Sequence, residues 1–136
     1  MMEQIIEDYS HAYGLKFVAL RYFNAAGADS ECEIGEWLEP ESHLIPLVLD
    51  VAIGNRPSIS IFGGDFDTVN GTCDRDYIHV TDLADEHSKA VDYLKGNGEN
   101  LTINLGNGLG YSVLEIIRMI ETITGCSILT VITERR

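Results

Sequence analysis

Positive charge is the scarcest commodity in this chain: nine Lys and Arg stand against 22 Asp and Glu in 136 residues, a formal net charge of −13. A field of that sign repels polyanions, so nucleic acid is not an expected partner. It also opposes a diphosphate ligand, which would need strong local donors to be held. Cysteine is nearly as rare. Cys32, Cys73 and Cys126 are odd in number and form no Cys-x-x-Cys pair, a pattern of reduced thiols rather than of a disulfide framework or a zinc site. His-Glu-x-x-His does not occur, and His11, His79 and His87 have no partner at metal spacing, so no metal is expected. No apolar run reaches the roughly 18 residues of a membrane span, and the first residues carry Glu3, Glu7 and Asp8 where a targeting segment would be basic. The expectation is a soluble, cytoplasmic chain with no membrane partner. Two further patterns are absent, Gly-x-Gly-x-x-Gly and Tyr-x-x-x-Lys, and with them the usual marks of a dinucleotide turn and of a tyrosine base.

What is present alternates between helix and strand. Met2, Ile5, Ile6, Tyr9 and Tyr13 fall on one helical stripe that predicts a core-facing helix, stopped by Gly14. No Ser, Thr, Asp or Asn precedes the stripe to cap it, which is expected of a helix whose start lies outside the sequence. Phe17 to Tyr22 reads as a strand, followed by a long loop from Asn24 to Ser42. His43 to Ile53 reads as a helix and Ile59 to Phe62 as a strand halted by Gly63-Gly64. Tyr77 to Val80 is a further strand, after which Thr81 or Asp82 is placed to cap a helix running to about Leu94. Leu101 to Leu105 is a strand. Ser112 and Glu115 form a capping box ahead of the stripe Val113, Ile116, Ile117 and Ile120, and Ile128 to Ile132 is the last strand. Such alternation predicts α/β architecture with a largely parallel sheet.

Several residues could carry chemistry on their own account. The guanidinium of Arg75 presents a planar fork that matches two phosphate oxygens, and an ion pair with Asp74, Asp76 or Asp82 explains it equally well. Asn24 follows a strand, where an amide can reach a ligand beyond the carboxyl ends of a parallel sheet; an Asx turn is as good a reading. Ser60 and Phe62 share one face of a strand and could meet a base, although periodicity alone favours an ordinary core strand. His43 and Leu44 open a helix whose amides favour an anion. Gly106-Asn107-Gly108-Leu109-Gly110 lies between a strand and a capped helix, but position 111 is Tyr, and the run is read as turn chemistry.

Three stretches, taken together, go further: Leu20-Arg21-Tyr22-Phe23-Asn24, His43-Leu44-Ile45-Pro46 and Gly71-Thr72-Cys73-Asp74-Arg75-Asp76-Tyr77-Ile78-His79-Val80. Over nearly its whole length the chain resembles the UDP-glucose 4-epimerases, a family of NAD-dependent enzymes in the extended short-chain dehydrogenase group. The resemblance implies an incomplete Rossmann-like parallel sheet joined to the small substrate-binding α/β region of those enzymes. Residues 1–136 would be one unit, the C-terminal part that binds the nucleotide sugar, with the N-terminal dinucleotide-binding half absent.

In the family, NAD takes a hydride from C4 of the hexose while a tyrosine removes the hydroxyl proton. The resemblance places Arg75 on the diphosphate, Asn24 on the UDP-sugar, Ser60 and Phe62 on uracil, and His43 and Leu44 on the uridine. It sets Tyr22 beside the nicotinamide and Arg136 on the far side of the diphosphate. It implies interconversion of UDP-glucose and UDP-galactose, with the isolated chain inactive and inclined to self-associate or to bind a chain supplying the N-terminal half. Two other readings stand beside it. One is a sibling nucleotide-sugar dehydratase or decarboxylase, against which the run from Gly71 to Val80 speaks. The other is a non-catalytic or vestigial UDP-sugar-binding fragment, which Asp67 and Asp74 favour because neutral or apolar residues are common at those positions in the family.

Overall fold

The computed structural model describes residues 1–135, and Arg136 lies outside the described residues. The chain runs α1 (Met2–Tyr13), β1 (Val18–Arg21), β2 (Asn24–Ala26), α2 (Leu44–Ala52), β3 (Ile59–Phe62), β4 (Asp74–His79), α3 (Val80–Lys95), β5 (Leu101–Asn104), β6 (Gly110–Ser112), α4 (Val113–Thr124) and β7 (Thr130–Thr133). Three small sheets result. β1 pairs with β5 and β3 with β7, both in parallel, while β4 lies between parallel β2 and antiparallel β6. The α/β class and the mostly parallel pairing agree with the sequence reading. β6 is the exception: it returns along β4 in the opposite direction after α3 and β5 have intervened.

The core lies where α2 and α4 pack on β3. Val48, Ile59, Ile61, Ile116, Ile117, Ile120 and Ile128 form one buried cluster, with Leu44, Leu47, Tyr77 and Val113 against its edge. Each such side chain contributes about 1.5–3 kcal/mol through burial. α4 earns its place by its start: Ser112 accepts from the Glu115 amide, and Glu115 reaches back to the Ser112 amide, as expected.

Other expectations are corrected. α1 forms over the expected residues and ends at Gly14 in the left-handed region, yet it buries nothing among the described residues; Met2 is 69% and Tyr13 77% exposed. Of the stripe residues only Ile6 is half-buried; Met2, Ile5, Tyr9 and Tyr13 are exposed. The loop expected from Asn24 begins instead as β2, because residues 24–26 find β4 as a partner. β4 starts at Asp74, three residues earlier than Tyr77, since β6 pairs with its first half. Neither Thr81 nor Asp82 caps α3. The Nδ1 atom of His79 accepts from the Thr81 amide at 3.2 Å, so the cap sits two residues upstream and strand passes into helix without a loop.

Candidate functional site

A cavity of about 620 Å³ opens between β3, the first half of β4 and the start of α2. It brings together Asn24, Leu44, Ser60, Phe62 and Arg75, residues drawn from four separate elements. Arg56 and Arg135 line it as well, and among the described residues no Asp or Glu does. In a chain with 22 acidic residues and a net charge of −13, the hollow gathers three arginines and no carboxylate in its lining, although Asp65 pairs with Arg135.

Strand alternation explains the β4 wall. Residues 73, 75 and 77 point to one face, so Cys73, Arg75 and Tyr77 all line the cavity, while Asp76 turns away from it. Arg75 donates from Nη1 to the Asp74 carbonyl at 2.9 Å, and among the described residues no carboxylate pairs with it. The ion pair with Asp74, Asp76 or Asp82 therefore does not form. Asn24 stands opposite Tyr77 in the β2–β4 register, and its Nδ2 donates to the Asp76 carbonyl at 3.0 Å, which replaces the expected Asx turn by a cross-strand bond. Burial pushes the Tyr77 phenol above its ordinary pKa of 10.0; the neighbouring Cys73 adds to this and Arg75 opposes it.

β3 has two unlike faces. Ile59 and Ile61 are buried in the core cluster and Ser60 and Phe62 are exposed, and all four line the cavity, so this core strand also forms a cavity wall. The amides of Ile59 and Gly63 donate to Leu129 and Thr133. Alternation along the strand then directs the peptide groups of Ser60 to the edge opposite β7.

His43 is the residue preceding α2, but its amide is not offered to an anion. The Glu41 carboxylate accepts from the amides of Ser42 and His43, both at 2.7 Å. That pair of bonds, led by the one from His43, holds the Glu41 carboxyl below its usual range. His43 itself does not line the cavity, whereas Leu44 does. Its Nδ1 lies 3.1 Å from Glu41 and 3.4 Å from Glu36, a surface cluster of metal-ligand type with no further feature to recommend it.

Tyr22 also lies apart from the cavity. It is exposed, and its ring meets that of His87 edge-on at 6.1 Å. Arg136 is outside the described residues, but its neighbour Arg135 reaches the cavity. Arg135 is held by Asp65, through Nε at 2.8 Å and through the main-chain carbonyl at 2.7 Å, and it stacks over Phe66 at 4.1 Å. Sequence reasoning missed Arg56, Phe66, Cys73, Tyr77 and Arg135. Two-residue spacing from Arg75 was a sufficient signal for Cys73 and Tyr77; no local signal existed for the others.

The amides of Asn107 and Gly108 in the glycine-rich turn are taken by the Asp76 carboxylate.

Comparisons with known proteins identify the family. The sequence profile of the NAD dependent epimerase/dehydratase family matches residues 1–106. A UDP-glucose 4-epimerase of Rhizobium meliloti (strain 1021) is 56% identical over 121 residues, 89% of this chain and 37% of that protein. One from Halalkalibacterium halodurans is 50% identical over 99% of this chain and 40% of its own length. The chain thus spans about two fifths of the relatives it matches. Among solved structures, the UDP-glucose 4-epimerase from Brucella ovis in complex with NAD superposes with a TM-score of 0.94 at 50% identity, over 98% of this chain and 41% of the other. That from Bifidobacterium longum, in complex with NAD+ and UDP, gives 0.91 at 41% identity, over 98% and 40%. Fold, motifs and a match over most of its length converge, and the chain belongs to the NAD dependent epimerase/dehydratase family.

Proposed function

We propose that this chain is the UDP-sugar-binding portion of a UDP-glucose 4-epimerase, the enzyme that interconverts UDP-glucose and UDP-galactose in galactose metabolism. The observation that carries the reading is the acid-free cavity with Arg56, Arg75 and Arg135 around it in a strongly acidic chain. Arg75 grips the diphosphate with its guanidinium fork, and Asn24, two register positions away, donates from the same side. The resemblance assigns Arg136, which lies outside the described residues, to the diphosphate as well. Ser60 lies at the uracil edge while the Phe62 ring covers the nucleoside, and Leu44 completes the uridine site, with His43 beside it outside the cavity. Tyr22 belongs to the nicotinamide environment. Hydride transfer is the work of NAD, and the tyrosine base that serves it is not among these residues, so the 136-residue chain by itself is catalytically inactive.

Calorimetric titration with UDP tests the binding reading: micromolar affinity supports it, and no heat of binding overturns it in favour of a relic. Incubation with NAD and UDP-galactose tests the second part, where formation of UDP-glucose above a protein-free control would overturn the statement of inactivity.

The partner reading rests on α1. Met2, Ile5, Tyr9 and Tyr13 form an exposed apolar stripe, which is offered to another copy of the chain or to a chain carrying the dinucleotide-binding half. Light scattering at high protein concentration decides this, and a clean monomer that also ignores such a chain would count against it.

A further inference from the structure

The Gly106-Asn107-Gly108 turn contacts no part of the cavity, yet its polar groups converge on β4. The Asp76 carboxylate accepts from the Asn107 amide through Oδ1 at 2.9 Å and from the Gly108 amide through Oδ2 at 3.2 Å. The turn comes so near that a Cβ on Gly106 would stand 2.2 Å from Oδ2, so a side chain there would have to displace the Asp76 carboxylate. One residue on, the Tyr77 carbonyl accepts from Asn107 Nδ2 at 2.6 Å. From the other flank Asn24 donates to the Asp76 carbonyl at 3.0 Å. Asp76 thus faces away from the cavity, gripped on both flanks, while the residues on either side of it, Arg75 and Tyr77, line the cavity wall.

Resting on the reading of this cavity as a nucleoside diphosphate site, we propose that Asp76 is a positioning residue whose carboxylate, held by the Gly106–Gly108 turn, fixes β4 so that Arg75 and Asn24 meet one diphosphate. A carboxylate receiving two successive main-chain amides makes charge-assisted bonds, stronger than those between neutral groups. An asparagine of the same shape would turn an N–H toward one of the two donors and undo half of the grip. Because Arg75 serves the phosphates and not the base, loosening β4 should cost the diphosphate contact and spare the nucleoside.

The test titrates the chain and its Asp76→Asn variant with UDP and with uridine. The variant is expected to bind UDP about tenfold more weakly, the loss of roughly one good contact, with uridine affinity unchanged. Unchanged UDP affinity would overturn the proposal, and so would an equal loss for UDP and uridine, which marks general damage to the fold. Asn107→Ala removes only the bond to the Tyr77 carbonyl and serves if the first variant fails to fold; a smaller loss, again confined to UDP, is expected. If the unaltered chain binds no UDP, the diphosphate reading itself fails. Positioning is then read from the Arg75 Nε–Hε resonance without nucleotide: a shift between the unaltered chain and Asn107→Ala is expected, and superposed signals would overturn it.

Discussion

Asn24 and Asp76, 52 positions apart in sequence, are joined by a hydrogen bond from the Asn24 carboxamide to the Asp76 carbonyl at 3.0 Å. That bond locks β2 to β4 one residue from Arg75, so the two residues given to the phosphate end of the ligand belong to a single hydrogen-bonded frame. A diphosphate between them would meet donors already fixed in place, and the ordering entropy of binding is correspondingly small.

Arg75→Ala is expected to lower UDP affinity by about 10- to 100-fold, the range of a lost hydrogen-bonded charge. Uridine affinity should hardly change. Arg75→Lys should recover only part of the loss, because an ammonium lacks the planar fork. Calorimetry on the three proteins checks this, and equal losses for UDP and uridine would remove Arg75 from the phosphate end.

Ser112 is 2% exposed and does two jobs: its Oγ accepts from Asn70 Nδ2 at 2.6 Å and from the Glu115 amide at 3.2 Å. Ser112→Ala should therefore cost the helix cap and strand the Asn70 amide, together about 1–3 kcal/mol. A urea midpoint within error of the unaltered chain would show that α4 does not depend on this cap.

Gly71 holds φ +78°, and a Cβ on it would stand 2.3 Å from the Gly64 carbonyl oxygen. Both the left-handed backbone and the backbone clash oppose a side chain, so Gly71→Ala is expected to destabilise the chain by about 2 kcal/mol or more. It should also weaken UDP binding, since Gly71 closes the loop that leads into Cys73 and Arg75. Thermal unfolding and calorimetry read the two effects separately.

Acid should unfold this chain earlier than its composition requires. The carboxyls of Glu3 beside Arg21, Glu41 on the His43 amide, Asp65 beside Arg135 and Glu115 on the Ser112 amide all lie below their ordinary pKa of 4.5, or 3.8 for Asp65. Each binds its proton less readily when folded, so its contribution is fully present above the ordinary value and disappears as pH falls through the lowered one. Urea midpoints should be level from neutral pH to about pH 5 and then decline. Glu115→Gln should flatten part of that decline, and an identical slope in the variant would exclude Glu115 as a contributor.

Much of this protein was legible from residue order because the signals are local. The Ser112–Glu115 box, the stop at Gly14 and the apolar periods of α2 and α4 each depend on neighbours three or four positions away, and they form as read. Arg75, Asn24, Ser60, Phe62 and Leu44 were singled out by the resemblance, and the fold gathers them around one cavity. What residue order could not decide was which groups would find distant partners. β2 exists because β4 is there to pair with it, and Arg135 reaches the cavity because Asp65 and Phe66 hold it, contacts spanning about 70 positions. The α1 stripe had the right period for a core and is exposed, because a period specifies a face and only tertiary packing supplies what covers it. The glycine-rich turn was read as turn chemistry, but its use as the receptor of Asp76 depends on two amides and a carboxylate meeting across 31 and 32 residues, a coincidence that only the folded chain can arrange.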